Sequence, residues 1–277
     1  MHARKFLAAV LEGTCNRVAI RDLEVPDHLS VGQVLVRIMY SGVCGAQIGE
    51  LDRIKGPDKY VPHCLGHEAS AIVEATGPGV RYGRPGDHVV VHWRKGVGID
   101  AEYPKYWCSE LQQYVGGGAN TTWQERSVVS ENRLTKIDKD ISLDVAALLG
   151  CAVTTGIGCV SNDLNIKLGQ SAVVFGCGGV GLNVLQGLML ANAYPIVGVD
   201  IDDAKLQQAI VFGATSTFNS RNGTCQNPHQ AHISQDENVF PLNFFDAAVD
   251  TTGKPEVIEW AWKIAKKVCL IAQVANH

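Results

Sequence analysis

The sequence predicts an α/β protein in which a β-rich N-terminal domain, residues 1–150, precedes a doubly wound parallel sheet, residues 151–277. Three observations carry this prediction. The first half contains short alternating segments broken by Gly, Pro and Asp, which is typical of strands. The second half alternates between apolar strand-like runs and helical periods, as in βαβ folds. A glycine-rich turn joins the first such strand to the first such helix.

In the first half, the strand-like segments include "VLVRIMY", "ASAIVEATG" and "GDHVVVHW". Each alternates apolar and polar residues or forms a short β-branched run, and Gly or Pro bounds it. Residues 94 to 125 are rich in Tyr, Trp and Gly, and we interpret them as a long irregular stretch.

In the second half, a helical period begins at "SLDVAALLGCAVTTGIGCV". The run "SAVVFG" is continuously apolar, as expected of a parallel strand covered on both faces. A helix "GVGLNVLQGLMLANA", a strand "YPIVGVD" and a helix "DDAKLQQAIVFG" follow. The alternation then continues as strand, helix and strand in "FFDAAVDTTG", "KPEVIEWAWKIAKK" and "VCLIAQV".

Composition excludes several function classes. The formal net charge of −4 and the absence of a basic cluster argue against nucleic-acid binding. No apolar run approaches the roughly 20 residues that a membrane-spanning helix needs. The start, "MHARKFLAAVLEG", does not resemble a signal peptide, and the nine scattered cysteines suggest reduced thiols. We therefore expect a cytoplasmic protein without membrane or nucleic-acid partners.

The segment "GCGGVG" has the G-x-G-x-x-G spacing of a dinucleotide-binding turn. The spacing alone is a weak signal, but here it follows an apolar strand, opens a helix and precedes an acid by about 20 residues, as the fingerprint requires. Asp200 can accept hydrogen bonds from a ribose hydroxyl and would repel a 2′-phosphate, which favours NAD over NADP. The predicted cofactor-binding residues of this turn are Gly176, Gly178, Gly179, Val180 and Gly181.

Cys44, His67 and Cys151 are candidate metal ligands, but spacing alone does not show that they meet, and a lone Cys or His is commonly a core residue. The surrounding motifs add more. "SGVCGAQ", "GHEASAIVEATGPGV", "PGDHVVV", "LLGCAVTTG" and "VFGCGGVGLNVLQ" with "VGVDIDDAK" occur in order from about residue 30. In these motifs the chain resembles the zinc-containing alcohol dehydrogenases of the medium-chain dehydrogenase/reductase family.

The resemblance implies a GroES-like catalytic domain, an NAD-binding Rossmann domain and hydride transfer between an alcohol and NAD. The alcohol would be primary or secondary, and polyols and sugars belong to the same class. Cys44, His67 and Cys151 would hold the catalytic zinc, the ligand set already known for alcohol dehydrogenase. Glu68 would lie beside the zinc. The nicotinamide would lie over Thr155, Trp93 would line the substrate pocket, and Lys205 would lie near the adenosine ribose.

The sequence departs from this family in the region of residues 94 to 125, where the family has four cysteines that bind a structural zinc. Only Cys108 is present there, so we predict one catalytic zinc and no structural zinc. Ala46 replaces a hydroxyl that starts the family's proton relay. Gln47 replaces an acid, and its neutral amide would orient His67 with less electrostatic support. Ala71 replaces a glycine.

The chain also ends just past a fifth Rossmann strand, so we expect a fragment or a shortened member that lacks the sixth strand, with a homo-oligomer formed by the full-length protein. Two alternatives stay open: a catalytically silent nucleotide-binding protein, and a zinc-free NADPH-dependent quinone or enone reductase. A further Cys225, His229 and His232 cluster is most simply a solvated loop.

Overall fold

The computed structural model describes residues 5–13, 17–52, 56, 58–226 and 241–271 of the chain. It divides into two compact units, Met1–Cys151 and Ala152–His277. Cys151 therefore belongs to the first unit, together with the other two candidate metal ligands.

The described residues of the first unit form two β-sheets and two short α-helices. Its strands are β1 (Lys5–Glu12), β2 (Arg17–Glu24), β3 (Gln33–Ser41), β4 (His63–Cys64), β5 (Ala69–Thr76), β6 (His88–Val91), β7 (Lys105–Cys108), β8 (Gln113–Gly116), β9 (Arg126–Ser130) and β10 (Leu134–Ile137). Its helices are α1 (Gly45–Leu51) and α2 (Leu143–Ala147), and α2 continues as a 3-10 turn at Leu148–Gly150.

Strands β1, β2, β7, β8 and β4 form a closed barrel, and β10, β6, β5, β3 and β9 form a five-stranded sheet in that order. The alternation of apolar and polar residues in the sequence arises because one face of the sheet is buried. Inward residues of β3, such as Val34 and Val36, are fully buried with the apolar residues of β5, β6 and β9. The predicted β-rich domain is present.

Residues 105–116 differ from the irregular stretch that the sequence predicts, because they form an antiparallel β7–β8 hairpin. Tyr106 and Val115 of this hairpin are buried in the barrel core, where the Tyr106 ring contacts Phe6 edge-on. Trp107 and Tyr114 form a second edge-on ring pair across the hairpin. Aromatic cross-strand pairs stabilise such a hairpin, and their spacing in "KYWC" and "QYVG" is too short to give a clear period.

The second unit is built on one sheet. Its strands are β11 (Ala172–Phe175), β12 (Ile196–Asp200), β13 (Ser216–Asn219), β14 (Thr224–Gln226), β15 (Phe245–Asp250) and β16 (Ala265–Leu270), in the order β14-β13-β12-β11-β15-β16. Its helices are α3 (Ala152–Gly158), α4 (Gly179–Leu190), α5 (Asp203–Val211) and α6 (Pro255–Ile264), and α3 continues as a π-helical segment at Cys159–Leu164.

Five strands of this sheet are parallel, which confirms the predicted doubly wound architecture. The edge strand β14 was not predicted and pairs antiparallel with β13. The last predicted helix was too long at its end, since α6 stops at Ile264 and β16 begins at Ala265. Pairing of Ala265 with Phe245 of the neighbouring β15 explains this early start.

The helical period predicted from residue 142 onwards is interrupted at Cys151, whose backbone (φ −142°, ψ −79°) is not helical. No single described helix is both long and apolar enough to cross a membrane. By length and composition only, the consecutive segments Leu143–Gly150 and Ala152–Leu164 would reach that threshold when they are taken together.

Candidate metal and nucleotide sites

Three side chains that are far apart in the sequence converge in the first unit. One ligand atom from each of Cys44, His67 and Cys151 lies within 4.8 Å of the other two. The two sulfur atoms, Cys44 Sγ and Cys151 Sγ, are 3.9 Å apart. The spacing of the sequence did not show this convergence, but the structure does.

Cys44 lies at the N-terminal end of α1, where its backbone carbonyl accepts hydrogen bonds from the N–H groups of Gln47 and Ile48. Hydrogen bonds from the side chain of Cys151, then from the His67 side chain and the Ala46 backbone N–H, lower the pKa of the Cys44 thiol to about 4, although partial burial acts in the opposite direction. Groups that stabilise a thiolate also favour its binding to a cation. The surroundings of Cys44 thus favour its thiolate form.

His67 follows a glycine that no other residue could easily replace. Gly66 has φ +89°, and a Cβ at this position would lie 2.4 Å from the Thr122 Oγ1 atom. The N–H of Gly66 donates to the Gln47 side-chain oxygen, while the amide nitrogen of Gln47 donates to Glu50 at 2.8 Å. Gln47 therefore holds the backbone before His67, which is a different role from the direct support of the imidazole that the sequence suggested.

Cys151 follows another close-packed glycine. A Cβ on Gly150 would lie 2.4 Å from the carbonyl oxygen of Val91 and 2.9 Å from the Cβ of Glu68. Such an approach requires glycine, since a side chain would collide with strand β6. The contact brings the end of the 3-10 turn onto the sheet, so that Cys151 reaches Cys44.

Glu68 lies between the segments that carry the two cysteines. Its side chain is only 4% exposed. A Cβ on Gly42 would lie 2.5 Å from the Glu68 Oε1 atom, and Gly150 contacts the other end of the same side chain. The two glycines thus leave room for one buried carboxylate next to His67. The predicted place of Glu68 beside a bound metal stays a prediction.

The geometry of the cluster can be compared with that of zinc. Tetrahedral zinc with Zn–S bonds of about 2.3 Å places two sulfur ligands about 3.8 Å apart. The observed 3.9 Å between the cysteine sulfurs fits that value. Two thiols and one imidazole are also the donor types that zinc prefers, and three protein ligands leave one tetrahedral position open.

The glycine-rich turn of the second unit has the geometry that a dinucleotide needs. Gly176 has φ +88°, and a Cβ on Gly181 would lie 1.8 Å from the Gly176 carbonyl oxygen. Nothing lies within 4 Å of the position that a Cβ on Gly178 would take. Gly178 precedes α4, a helix of 12 residues whose free N–H groups favour a negative charge. These residues fit the pyrophosphate of a dinucleotide.

Asp200 ends β12 and contacts this turn. Its carboxylate accepts hydrogen bonds from the backbone N–H groups of Cys177 at 2.8 Å and Ile201 at 2.7 Å. The carboxylate therefore fixes the turn. Burial and the nearby Asp200 charge raise the pKa of the Cys177 thiol to about 12, which disfavours its thiolate form.

Sequence reasoning missed two residues at the same edge of the sheet. Asp250 is fully buried at the end of β15, and its carboxylate accepts from the N–H groups of Thr252 and Gly253 at 3.0 Å. The hydroxyl of Thr251 donates to the Gly176 carbonyl at 2.9 Å, and this hydroxyl occupies the space beside Gly176. The signal was the polar "DTTG" directly after an apolar strand.

The remaining predicted site residues occupy less distinctive positions. Thr155 is half-buried on α3, and Lys205 is exposed on α5. Trp93 is half-buried after β6, with the Arg94 guanidinium 5.7 Å from its ring centre. Gly179 and Val180 form the first turn of α4.

Residues at which the chain departs from the family motifs lie within regular elements. Ala46 is in α1, Ala71 is buried in β5, and Cys108 is buried in the barrel core at the end of β7. His229 and His232 lie outside the described residues, as does the side chain of Cys225.

Comparison with known proteins shows which proteins the chain is similar to. Residues 30–139 match the family model of the alcohol dehydrogenase GroES-like domain. The chain is 32% identical over 255 residues to S-(hydroxymethyl)glutathione dehydrogenase of Paracoccus denitrificans, a match that covers 82% of this chain and 66% of that protein. It is 33% identical over 215 residues to alcohol dehydrogenase class-3 of Cereibacter sphaeroides, covering 68% of this chain and 56% of that protein.

The fold has a close counterpart among solved structures. An alcohol dehydrogenase zinc-binding domain protein from Burkholderia ambifaria matches with a TM-score of 0.81 at 24% identity, covering 99% of this chain and 79% of that chain. The chain spans 66% and 56% of the lengths of the two curated relatives described above. From these matches, together with the three converging ligands and the dinucleotide turn, we conclude that the chain belongs to the zinc-type medium-chain alcohol dehydrogenase family.

Proposed function

We propose that this chain carries the zinc site and the NAD site of an alcohol dehydrogenase that transfers a hydride between a primary or secondary alcohol and NAD. The observation that carries the proposal is the convergence of Cys44, His67 and Cys151, with a sulfur–sulfur distance that fits tetrahedral zinc. Polyols and sugars belong to the same substrate class. We propose one zinc ion for each chain, held by these three residues.

Each part of the site has a distinct task in this proposal. Zinc bound there would act as a Lewis acid that lowers the pKa of an alcohol, and NAD would supply the hydride acceptor. Cys44 and Cys151 offset the charge of the cation, while His67 is kept in place by Gly66 and by the hydrogen bond from Asn120 to its carbonyl at 2.9 Å.

The proton must leave by a route that differs from a side-chain hydroxyl next to Cys44. Ala46 has no hydroxyl, so the buried carboxylate of Glu68 or solvent takes the proton in this proposal. Glu68 is almost fully buried and directly follows the candidate ligand His67 in the chain. Glu68→Gln would then lower kcat more than it changes KM.

The cofactor preference rests on Asp200. Its carboxylate lies beside the glycine-rich turn, and a second negative charge on a 2′-phosphate would be repelled there. We expect NADH to bind about tenfold or more tightly than NADPH, which corresponds to about 1.4 kcal/mol. Equal binding of the two nucleotides would favour the reductase alternative instead.

The decisive experiment compares two cysteine variants of the first unit. Metal analysis of the purified protein should give about one zinc per chain, and Cys44→Ser should lose it together with alcohol-dependent NADH formation. Cys108→Ser is the matched control, because this thiol is buried in the barrel core and should leave zinc and activity unchanged. Less than about half an equivalent of zinc in well-folded protein would contradict the zinc site.

Two further outcomes decide between the alternatives. Zinc binding without NADH formation from any alcohol of a broad panel would indicate a catalytically silent protein. Activity that survives the loss of zinc in Cys44→Ser would indicate the zinc-free reductase. The panel should include short primary and secondary alcohols, polyols and sugars, because the pocket that selects among them is formed by side chains with no readable motif.

A further inference from the structure

A second pair of thiols lies in the other unit, and the proposed reaction does not use it. The Sγ atoms of Cys159 and Cys269 are 3.0 Å apart, although these residues are separated by 110 positions in the chain. Cys159 begins the π-helical segment that continues α3, whereas Cys269 is in β16, the parallel strand at one end of the sheet order. Nothing in the sequence predicts that these two residues meet.

The distance between the two sulfurs decides between two chemical interpretations. Two thiolates on one zinc ion lie about 3.8 Å apart, and the sulfurs of a disulfide lie about 2.05 Å apart. At 3.0 Å the pair is closer than zinc ligands and about 1 Å from a covalent bond. Asp163 lies within reach of the same cluster, but its side chain is exposed and adds a donor that zinc uses less often with two thiolates.

The surroundings of the two thiols differ in a way that gives each a separate role. Cys159 is 3% exposed and belongs to the apolar core. Cys269 is half-buried at the border of that core, so a small reagent can reach it. The Cys159 thiol donates a hydrogen bond to the Cys269 sulfur, which lowers the pKa of Cys269, whereas the pKa of Cys159 is raised.

From this geometry we propose that Cys159 and Cys269 form a redox-active pair that closes to a disulfide when a small disulfide reagent attacks from the Cys269 side. This site is independent of the proposed dehydrogenase activity. It would tie strand β16 covalently to the helical segment that begins directly after the ligand Cys151.

The chemistry proceeds in two exchange steps. The Cys269 thiolate attacks one sulfur of the small disulfide RSSR, which forms a mixed disulfide and releases one RS⁻. The Cys159 thiol then loses its proton to the solvent, and its sulfur attacks the Cys269 sulfur, which releases the second RS⁻. Overall, two protein thiols are oxidised to one disulfide, and RSSR is reduced to two RSH after protonation.

Closure should be visible as a gain in thermal stability. A disulfide that closes a loop of about 100 residues removes much conformational freedom from the unfolded chain. We therefore expect the oxidised protein to melt at a temperature roughly 5 °C or more above that of the reduced protein. A reductant such as dithiothreitol should reverse the gain.

The test uses the whole chain, loaded with zinc and incubated with hydroxyethyl disulfide, a small neutral reagent. Peptide mapping by mass spectrometry, after remaining thiols are blocked, should find a Cys159–Cys269 linked peptide whose mass is two hydrogen atoms below the sum of the two reduced peptides. Wild-type mapping requires no variant to fold. Cys159→Ser and Cys269→Ser should each abolish the linked peptide and the gain in melting temperature.

Three outcomes would overturn the proposal. The first is no linked peptide after prolonged incubation, although the same reagent modifies both cysteines in unfolded protein. The second is a stable mixed disulfide on Cys269 that never transfers to Cys159. The third is stoichiometric zinc bound through Cys159 and Cys269, detected as metal that Cys44→Ser retains and the double variant with Cys269→Ser loses. Failure of the zinc site at Cys44 would leave the linked peptide unchanged, so the two proposals fail separately.

Discussion

Each unit contains a cluster with two cysteines, and the two clusters differ in their sulfur–sulfur distance and in the groups around the sulfurs. The first, Cys44 with His67 and Cys151, has sulfurs 3.9 Å apart. The second, Cys159 with Asp163 and Cys269, has sulfurs 3.0 Å apart. Cys151 and Cys159 are close in the sequence, but each contacts a cysteine from a different distant segment.

The difference shows what makes a thiol pair suitable for a cation. In the first cluster, the hydrogen bond from Cys151 has the largest effect on the pKa of Cys44. Together with the His67 side chain and a backbone N–H, it lowers that pKa to about 4. In the second, the hydrogen bond between the two thiols has the largest effect, because it raises the pKa of Cys159 and lowers that of Cys269, while burial and the Asp163 charge act to raise both. The donors around the sulfurs, more than the number of cysteines, distinguish the proposed metal site from the proposed redox pair.

The largest expected effect is on zinc affinity, when Cys151 and Cys159 are replaced by serine in separate variants. Cys151→Ser should weaken zinc binding by more than about 100-fold, because even the loss of a group that only supports a ligand costs 10- to 100-fold. Cys159→Ser should leave zinc affinity unchanged. Competition with a chromophoric chelator measures the zinc affinity of both variants. Equal losses of zinc affinity in the two variants would remove the distinction between the clusters.

A smaller effect, on the free energy of unfolding, is expected when a glycine near each cluster is replaced by alanine. Gly42→Ala should lower the free energy of unfolding by about 1–3 kcal/mol, because the new Cβ would collide with the buried Glu68 side chain. Gly158→Ala should raise it by about 0.5–1 kcal/mol, since alanine is the better helix former.

Gly158 is a suitable matched control. It is helical (φ −64°, ψ −38°), and its added Cβ would lie 3.6 Å from the Asn162 amide nitrogen, an ordinary contact. Urea denaturation of both variants gives the comparison. If Gly42→Ala proved as stable as the wild-type protein, Glu68 would not be tightly held between the ligand segments, and its proposed role would lose support.

The smallest expected effect concerns Asp163. Its negative charge opposes the lowering of the Cys269 pKa by the hydrogen bond from Cys159, so Asp163→Asn should lower that pKa further and increase the thiolate fraction at neutral pH. Alkylation of Cys269 at pH 7 should then be faster by about two- to threefold. Asp163→Glu keeps the charge and should react at the wild-type rate, as measured by peptide mass spectrometry over time. A slower reaction in Asp163→Asn would show that Asp163 acts on the thiols by contact and not by charge.

The sequence by itself determined the parts of this protein that depend on neighbouring residues. The turn from Gly176 to Gly181, the acid Asp200 and the alternation of strands and helices follow from local spacing, because burial on one face repeats with the period of the element. The resemblance of the motifs also predicted, by position, the three candidate metal ligands that the structure brings together. These predictions required no knowledge of how distant segments meet.

Only the tertiary structure decided which distant groups are in contact. The meeting of Cys159 with Cys269, the support of Gly66 by Gln47 and the enclosure of Glu68 by Gly42 and Gly150 leave no local pattern. Each depends on strand order and on the close approach of segments that are far apart in the chain. Periodicity records whether a side chain is buried, but not which side chain it is buried against.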